Sequence, residues 1–382
     1  MKFRVDRDVL ADAVAWVARS LPNRPSLPVL AGMLVDARDG EILLSGFDYE
    51  TSARVSVPAD VEVEGAVLVS GRLLADISRS LPAQPVELHA DGGKVVVTCR
   101  SARFTVQTLP VEDYPALPDM PTASGTVKGD VFANAVSQVA VAAGRDDMLP
   151  VLTGVRIEID GASVTLAATD RYRLAVREFS WTPELPDLSA TALVPARVLA
   201  DTAKAFASGS DVTIALASSG TGAGEGLVGF AGTSGGSMRR TTTRLLDGEF
   251  PKYRTLFPPE QQTVARVETA PLVESLKRVA LVAERNTPIR LTLGDGMATL
   301  EAGSSDEAQA SESIEAGIEG EGLTIGFNPQ YLLDGLGAIE APVAQFAFTQ
   351  STRPAVLTGL TAVDAEPNVD YRYLLMPVRL QS

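Results

Sequence analysis

Histidine and cysteine are all but missing from this 382-residue chain, which holds one of each, His89 and Cys99. One cysteine rules out an intrachain disulfide, and one histidine allows a His-dependent triad in one place at most. A zinc centre would have to draw most of its ligands from carboxylates. His89 stands in the alternating segment Val86-Glu-Leu-His-Ala, which predicts a strand with the imidazole on its polar face. Basic residues are also scarce: 33 Lys and Arg face 48 Asp and Glu, and the net charge of −15, taken as a total, argues against nucleic-acid binding. No apolar run approaches the roughly 18 residues of a membrane span. Met1-Lys-Phe-Arg-Val-Asp leads into a helical pattern without a signal-peptide core. The expectation is a cytoplasmic globular protein of two or three domains, with no cofactor and no metal, whose 45% hydrophobic content gives each domain a core.

What the chain does have is internal repetition, the signature of a tandem architecture. Leu27-Pro-Val-Leu-Ala-Gly returns 122 residues later as Leu149-Pro-Val-Leu-Thr-Gly. The same offset carries Leu10, Val14 and Val17 onto Phe132, Val136 and Val139, and a further 140 lands on Leu272, Leu276 and Val279. Spacing of i, i+4, i+7 is the apolar stripe of an amphipathic helix, so each repeat opens with one. Val69-Ser-Gly-Arg-Leu-Leu-Ala-Asp recurs as Val194-Pro-Ala-Arg-Val-Leu-Ala-Asp and, more loosely, as Phe327-Asn-Pro-Gln-Tyr-Leu-Leu-Asp. Each reads as a short strand turning into a second helix, with Pro195 and Pro329 at helix starts. Alternating segments follow from Val86, Val212 and Val343. An α+β unit, two helices on antiparallel sheets, is thus built three times, over 1–122, 123–256 and 257–382. Pro-rich linkers near Pro115–Pro121 and Pro251–Pro259 stiffen the row.

Motifs that look catalytic fail their structural requirements. Gly224-Glu-Gly-Leu-Val-Gly fits G-x-G-x-x-G, but Phe230-Ala-Gly-Thr-Ser-Gly-Gly after it cannot form the helix that would hold a pyrophosphate. The stretch Ser218–Ser237 is read instead as an exposed Gly/Ser-rich hairpin loop. Gly232-Thr-Ser-Gly-Gly fits the nucleophile elbow, yet no histidine follows Ser234. Asp170-Arg-Tyr-Arg is a denser cluster. An acid beside arginines serves as a catalytic pair or as a structural ion pair at a strand end, and the second use is the commoner. An enzyme is not expected.

The positions of the basic residues say more than their total. Arg72 and Arg79 lie seven apart on the second helix of repeat one, away from Leu74, Ile77 and Leu81, and an offset of 125 carries them to Arg197 and Lys204. Arg24, Arg145 and Arg285 stand just before Pro28, Pro150 and Pro288, after each first helix. Solvated faces and loop tips are the plain alternative. Recurrence favours a curved basic surface that follows a phosphate backbone without reading bases. Acids crowd the last repeat at Glu301, Asp306, Glu307, Glu312, Glu315, Glu319 and Glu321, while Arg100 and Arg103 stand near Phe104 in the first. Complementary ends suggest head-to-tail association, which closes a ring if the rotation permits. Charged edges that merely block strand pairing are the alternative.

Longer segments carry a resemblance over the whole length: Met1-Lys-Phe with its following helix, Arg24-Pro-Ser-Leu-Pro-Val-Leu, Ala168-Thr-Asp-Arg-Tyr-Arg-Leu-Ala, Gly248-Glu-Phe-Pro-Lys-Tyr-Arg, and above all Tyr373-Leu-Leu-Met-Pro-Val-Arg-Leu. The sequence is similar to the bacterial DNA polymerase III beta subunits, the sliding clamps. The resemblance implies three DNA-clamp domains per chain and two chains closed head to tail into a ring around duplex DNA. Helices would line the hole and strands form the rim. It implies that the homodimer tethers the replicative polymerase for processivity and has no catalytic activity.

The resemblance also implies a hydrophobic groove between the second and third domains. Its partners would be the polymerase III alpha subunit, the clamp-loader delta subunit, repair proteins and groove-binding peptide inhibitors. Matching positions are Leu152, Thr169, Arg171, Tyr172, Arg173, Leu174, Pro251, Leu256, Pro354, Leu374, Met376, Pro377, Val378 and Arg379. Leu, Met, Pro and Val suit a slot for an anchoring Leu or Phe, and Arg173 and Arg379 would hold polar groups. Arg171, Tyr172 and Thr255 depart from residues common at those positions. Arg24 and Arg72 carry over as DNA-facing, joined on the repeat argument by Arg79, Arg145, Arg197 and Lys204. At the ring interface, Arg103, Phe104 and Val106 of one chain would meet Leu281 and Val282 of the other. A paralogue with altered partner or inhibitor binding is the alternative reading. The −15 then fits encirclement: an acidic exterior resists adhering to DNA, and weak contacts inside permit sliding.

Overall fold

The structure is a computed structural model that describes residues 1–208, 211–216, 226–283, 287–303 and 308–380. Among these lie six α-helices: α1 (Arg7–Ala18), α2 (Gly71–Ser80), α3 (Gly129–Ala140), α4 (Ala196–Phe206), α5 (Thr269–Val279) and α6 (Pro329–Ile339). The three predicted stripes are where α1, α3 and α5 bury themselves, every one of the nine side chains at most 1% exposed. Asp6 starts α1 by accepting from the Asp8 amide at 2.9 Å, and Asn328 starts α6 by accepting from Gln330 and Tyr331. Pro329 is the first residue of α6, whereas Pro195 sits one place before α4. The helices pack in pairs, α1 with α2, α3 with α4 and α5 with α6, against antiparallel sheets.

Two sheets run straight through the domain junctions. Strand Thr51–Pro58 of the first domain pairs with Ser237–Arg244 of the second, Thr51 opposite Thr243. Strand Arg173–Ser180 of the second pairs with Asn368–Leu375 of the third, Arg173 opposite Leu375. Offsets of 122 and 132 carry the first register onto the second, so the two junctions are structural copies. In the third domain the counterpart of Thr51–Pro58 is Gln309–Glu315, an edge strand with alternate residues exposed. In the first, the counterpart of Ser237–Arg244 is Ala102–Leu109, which pairs with Lys94–Cys99 along its length but with Gly65–Ser70 only through Thr108 and Leu109. Among the described residues, neither strand pairs across a domain junction.

The interior divides unevenly. The first domain has its own core, from Phe3 to Val106. The second and third share one continuous core, from Val127 to Leu375. At their seam Tyr371 Oη donates to Gln138 O at 3.2 Å and Gln138 Nε2 donates to Ala338 O at 2.8 Å.

One expectation is corrected. Much of the Gly/Ser-rich stretch is not a loop: Leu227–Ser234 is a strand paired with Ser237–Arg244, turning at Gly235 and Gly236. Val228 and Phe230 alternate into the core, fully buried, and this period-two signal was masked by the surrounding glycines. Ser234 ends a strand at that turn, so no strand-to-helix elbow forms. Gly224, Arg285, Asp306 and Glu307 lie outside the described residues. No helix among the described residues is long and apolar enough to cross a membrane.

Candidate functional site

The turn between strands Ser163–Thr169 and Arg173–Ser180 builds the centre of the second junction. Asp170 Oδ1 accepts from the amides of Tyr172 and Arg173, both at 3.0 Å, and Thr169 Oγ1 donates to Arg173 O at 2.6 Å. This clasp holds Arg171 at φ 79°, in the left-handed region. Arg173 folds back beneath it. Its Nε donates to Asp170 Oδ2 at 2.9 Å, its Nη1 to Asp334 Oδ2 of α6 at 2.5 Å, and its guanidinium lies 4.3 Å from the Tyr331 ring centre. Gln330 Nε2 donates to the other Asp334 oxygen at 2.7 Å. Burial opposes the charge on Arg173, but Tyr373 and the two carboxylates outweigh it and raise its pKa. Gly335 lets α6 approach: a Cβ there would sit 2.5 Å from Tyr373 Cε1, whose hydroxyl donates to Tyr331 O at 2.8 Å.

Over this frame opens a cleft of about 730 Å³ lined by Arg145, Leu149, Leu152, Arg171 and Tyr172 from the second domain and Gln330 and Tyr331 from the third. Beside it, Leu174 and Leu374 face each other across the paired strands and pack with Phe250 and Tyr253 from the linker. Leu256, Met376 and Val378 remain exposed along this apolar shelf. The Met376 amide donates to Tyr172 O and the Val378 amide to Gly326 O, both at 2.8 Å, which ties the terminal segment to both domains. Ala355 opposite Leu375 brings Pro354 alongside Met376. The linker is pinned by Glu158, which accepts from Arg156 Nε at 2.5 Å, from Tyr253 Oη at 3.0 Å and from Arg254. Burial alone would raise the Glu158 pKa, but these donors together hold it below the usual carboxylate range. Burial and the facing Glu158 charge push Tyr253 up to about 12.

The expected groove residues separate into surface and frame. Leu152 is half-buried, while Arg171, Tyr172, Pro251, Leu256, Met376, Val378 and Arg379 reach solvent. Thr169, Leu174 and Leu374 are buried floor, and Pro354 and Pro377 are half-buried. Arg173 is 5% exposed and engaged by Asp170 and Asp334, so it joins two domains where it lines the cleft. The Asp170 cluster is an inter-domain ion pair. Arg145, expected on the DNA face, lines the cleft. Arg24, Arg72, Arg79, Arg197 and Lys204 are exposed, and neither they nor Arg145 form a salt bridge with a described residue. Of the interface candidates, Leu281 is 83% and Phe104 37% exposed, Arg103 is exposed and Val282 half-buried. Val106 is instead buried in its own domain's core and backs the edge. Sequence reasoning missed Gln330, Tyr331 and Asp334, although the match of Asp334 to Asp201 in the repeats marked the position.

Three copies of one α+β domain, joined through continuous sheets and carrying a cleft with an apolar shelf at a junction, define a binding protein of the DNA-clamp type. Families described as the N-terminal, central and C-terminal domains of the DNA polymerase III beta subunit match residues 1–118, 126–252 and 254–379. A beta sliding clamp from Streptomyces coelicolor is 66% identical over 380 residues, covering all of both chains. A beta sliding clamp homolog, GriR, from Streptomyces muensis is 50% identical, with 99% of each chain covered. The crystal structure of a DnaN sliding clamp from Pseudomonas aeruginosa bound to griselimycin superposes with a TM-score of 0.88 at 27% identity over both full chains. The chain belongs to the DNA polymerase III beta subunit family and is a non-catalytic sliding clamp, a processivity factor of DNA replication.

Proposed function

We propose that two copies of this chain close head to tail around duplex DNA in the cytoplasm, each contributing clamp domains over 1–122, 123–256 and 257–382. The observation that carries the reading is the pair of unmatched half-junctions. Among the described residues Gln309–Glu315 has a free edge where both its counterparts are paired across a junction, and Ala102–Leu109 offers the complementary strand. Joining them would cover Phe104 and Leu281, with Arg103 near the acids Glu312 and Glu315. Five exposed basic side chains, Arg24, Arg72, Arg79, Arg197 and Lys204, supply non-specific phosphate contacts.

The cleft and shelf at the second junction take a partner's peptide, with an anchoring Leu or Phe on Leu174, Leu256, Leu374 and Met376 and polar groups near Arg145, Arg171 and Arg379. The polymerase III alpha subunit and clamp-loader delta subunit are the proposed partners, and a peptide inhibitor would compete there. The ring is tested by loading the protein onto circular and linear DNA: it should persist on circles at high salt and slide off linear ends. Equal retention on both would overturn encirclement. Sedimentation tests the interface, since Leu281→Asp should convert a dimer into monomers.

A further inference from the structure

The first junction differs from the second on both of its sides. On the helix side Asp48 and Asp201, the counterparts of Asp170 and Asp334, line a pocket of about 220 Å³ together with Arg19 and Arg197, so its charges balance. On the opposite side they do not. Arg54 and Arg240 stand directly opposite each other on the paired strands Thr51–Pro58 and Ser237–Arg244. Their neighbours Ala53, Val55, Arg239 and Thr241 are buried, so both guanidiniums point away from the helices. Like charges placed opposite each other across a strand pair repel. Neither arginine forms a salt bridge or a side-chain hydrogen bond with a described residue, in a chain whose net charge is −15. The second junction has no such pair: Val176 faces Arg372, whose guanidinium lies 4.5 Å from the Phe257 ring centre.

The linker that follows the first domain covers the pair without neutralising it. Tyr114 brings a hydroxyl that is buried without a hydrogen-bond partner, and Arg54 Nε is buried and unpartnered too. Burial pushes the Tyr114 hydroxyl up to about 12, so it keeps its proton and is a donor at neutral pH. Burial and the facing Arg240 hold the Arg54 pKa below its ordinary value, and Asp119 of the linker offsets this only in part, from beyond salt-bridge distance. Beside Arg240 opens a pocket of about 460 Å³ whose apolar wall is Met120, Pro121, Ala231 and Met238. Its acid, Asp211, is taken up by Lys128 at 2.6 Å.

We propose that Arg54, Arg240 and Tyr114 bind the phosphate group of a phosphate monoester, the rest of which rests on Met120, Pro121 and Met238. Two guanidiniums bring two positive charges, and a monoester carries about −1.5 to −2 at pH 7, where a carboxylate brings one. Its oxygens can accept from both forks and from the hydroxyl at once.

The test is calorimetric titration of the full-length protein, in buffer free of phosphate and sulfate, with two monoesters: the capped tripeptide acetyl-Ala-phosphoserine-Ala-amide and adenosine 5′-monophosphate. At least one should bind about tenfold more tightly than inorganic phosphate and than acetyl-Ala-Glu-Ala-amide. The tighter of the two names the source, a phosphorylated protein or a nucleotide. Arg240→Gln, at an exposed position, and Arg54→Val, which copies the second junction, should each weaken binding about tenfold. Tyr114→Phe, which loses only the hydroxyl, should weaken it about threefold or more, and Asp119→Asn should strengthen it. Inorganic phosphate or the glutamate peptide binding as tightly as both monoesters would overturn the assignment to a monoester. No binding of either monoester, or binding unchanged in both arginine variants, would overturn the site itself.

Discussion

At the junction of the second and third domains a buried arginine is gripped by carboxylates from both sides, flanked by two tyrosines, and set in a core that runs without a break from one domain to the next. At the junction of the first and second domains the same strands meet in the same register, yet the central contacts are hydroxyl pairs. Thr51 meets Thr243 at 3.1 Å and Ser52 meets Thr242 at 2.6 Å. Arg239 adds a link to Asp12 and lies 5.5 Å from the Trp16 ring centre. Backbone pairing is thus enough to repeat a junction, and a few side chains decide whether it becomes a broad cleft or a small pocket. Strand pairing is generic because every residue carries the same donor and acceptor. A cleft needs particular shapes and charges.

Removing the arginine should break the comparison most strongly. Arg173→Ala leaves Asp170 and Asp334 without their shared partner and should destabilise the second and third domains by about 3–5 kcal/mol, whereas Thr51→Ala at the matching position should cost about 1 kcal/mol. Urea unfolding followed through Trp181, in a Trp16→Phe background, measures both. Comparable losses would show that the ion pair is no more important than a hydroxyl contact. Next in size is peptide binding at the shelf. Truncating Leu256 or Met376 to Ala removes about 1.5–3 kcal/mol of apolar contact, roughly tenfold or more in Kd. Val198→Ala at the other junction should leave that affinity unchanged, as calorimetric titration with a polymerase-derived peptide would reveal.

The shared turn offers a finer contrast. Arg171→Gly relieves a left-handed conformation and should stabilise the chain by about 0.5–1 kcal/mol. Tyr49→Gly should gain less, because Tyr49 also packs on Phe47 with ring centres 5.6 Å apart. Thermal unfolding of the two variants decides between a backbone effect common to both junctions and one confined to the cleft. The smallest effect concerns the linker. Glu158 has a folded pKa below its ordinary 4.5, so its stabilising contribution is fully present above that value and is lost as pH falls through the folded pKa. Glu158→Gln should flatten the acid limb of the stability curve between pH 5 and lower values; a limb of unchanged slope would remove Glu158 from the account of linker docking.

Much of this was legible in the residues. The stripes of α1, α3 and α5 were readable because helix burial imposes its period on the local sequence. The position of Asp334 could be inferred from Asp201, and the motif Tyr373-Leu-Leu-Met-Pro-Val-Arg-Leu marked the shelf. The strand Leu227–Ser234 was hidden because Gly229 and Gly232 within it, and the glycines around it, resemble a loop. The engagement of Arg173 was hidden for another reason: Asp334 lies 161 residues away, and no local pattern records that the two meet.

By itself the sequence determined that one α+β unit occurs three times, where each helix buries its apolar face, and that disulfide and histidine chemistry have little place here. Near-neighbour spacing dictates those features, and spacing is what a sequence displays. Tertiary structure alone decided that equivalent aspartates hold an arginine at one junction and face a pocket at the other, that Arg145 belongs to a cleft, and that Phe104 of the first domain and Leu281 of the third are left exposed. Each of these depends on side chains distant in sequence meeting, or failing to meet, across a domain boundary.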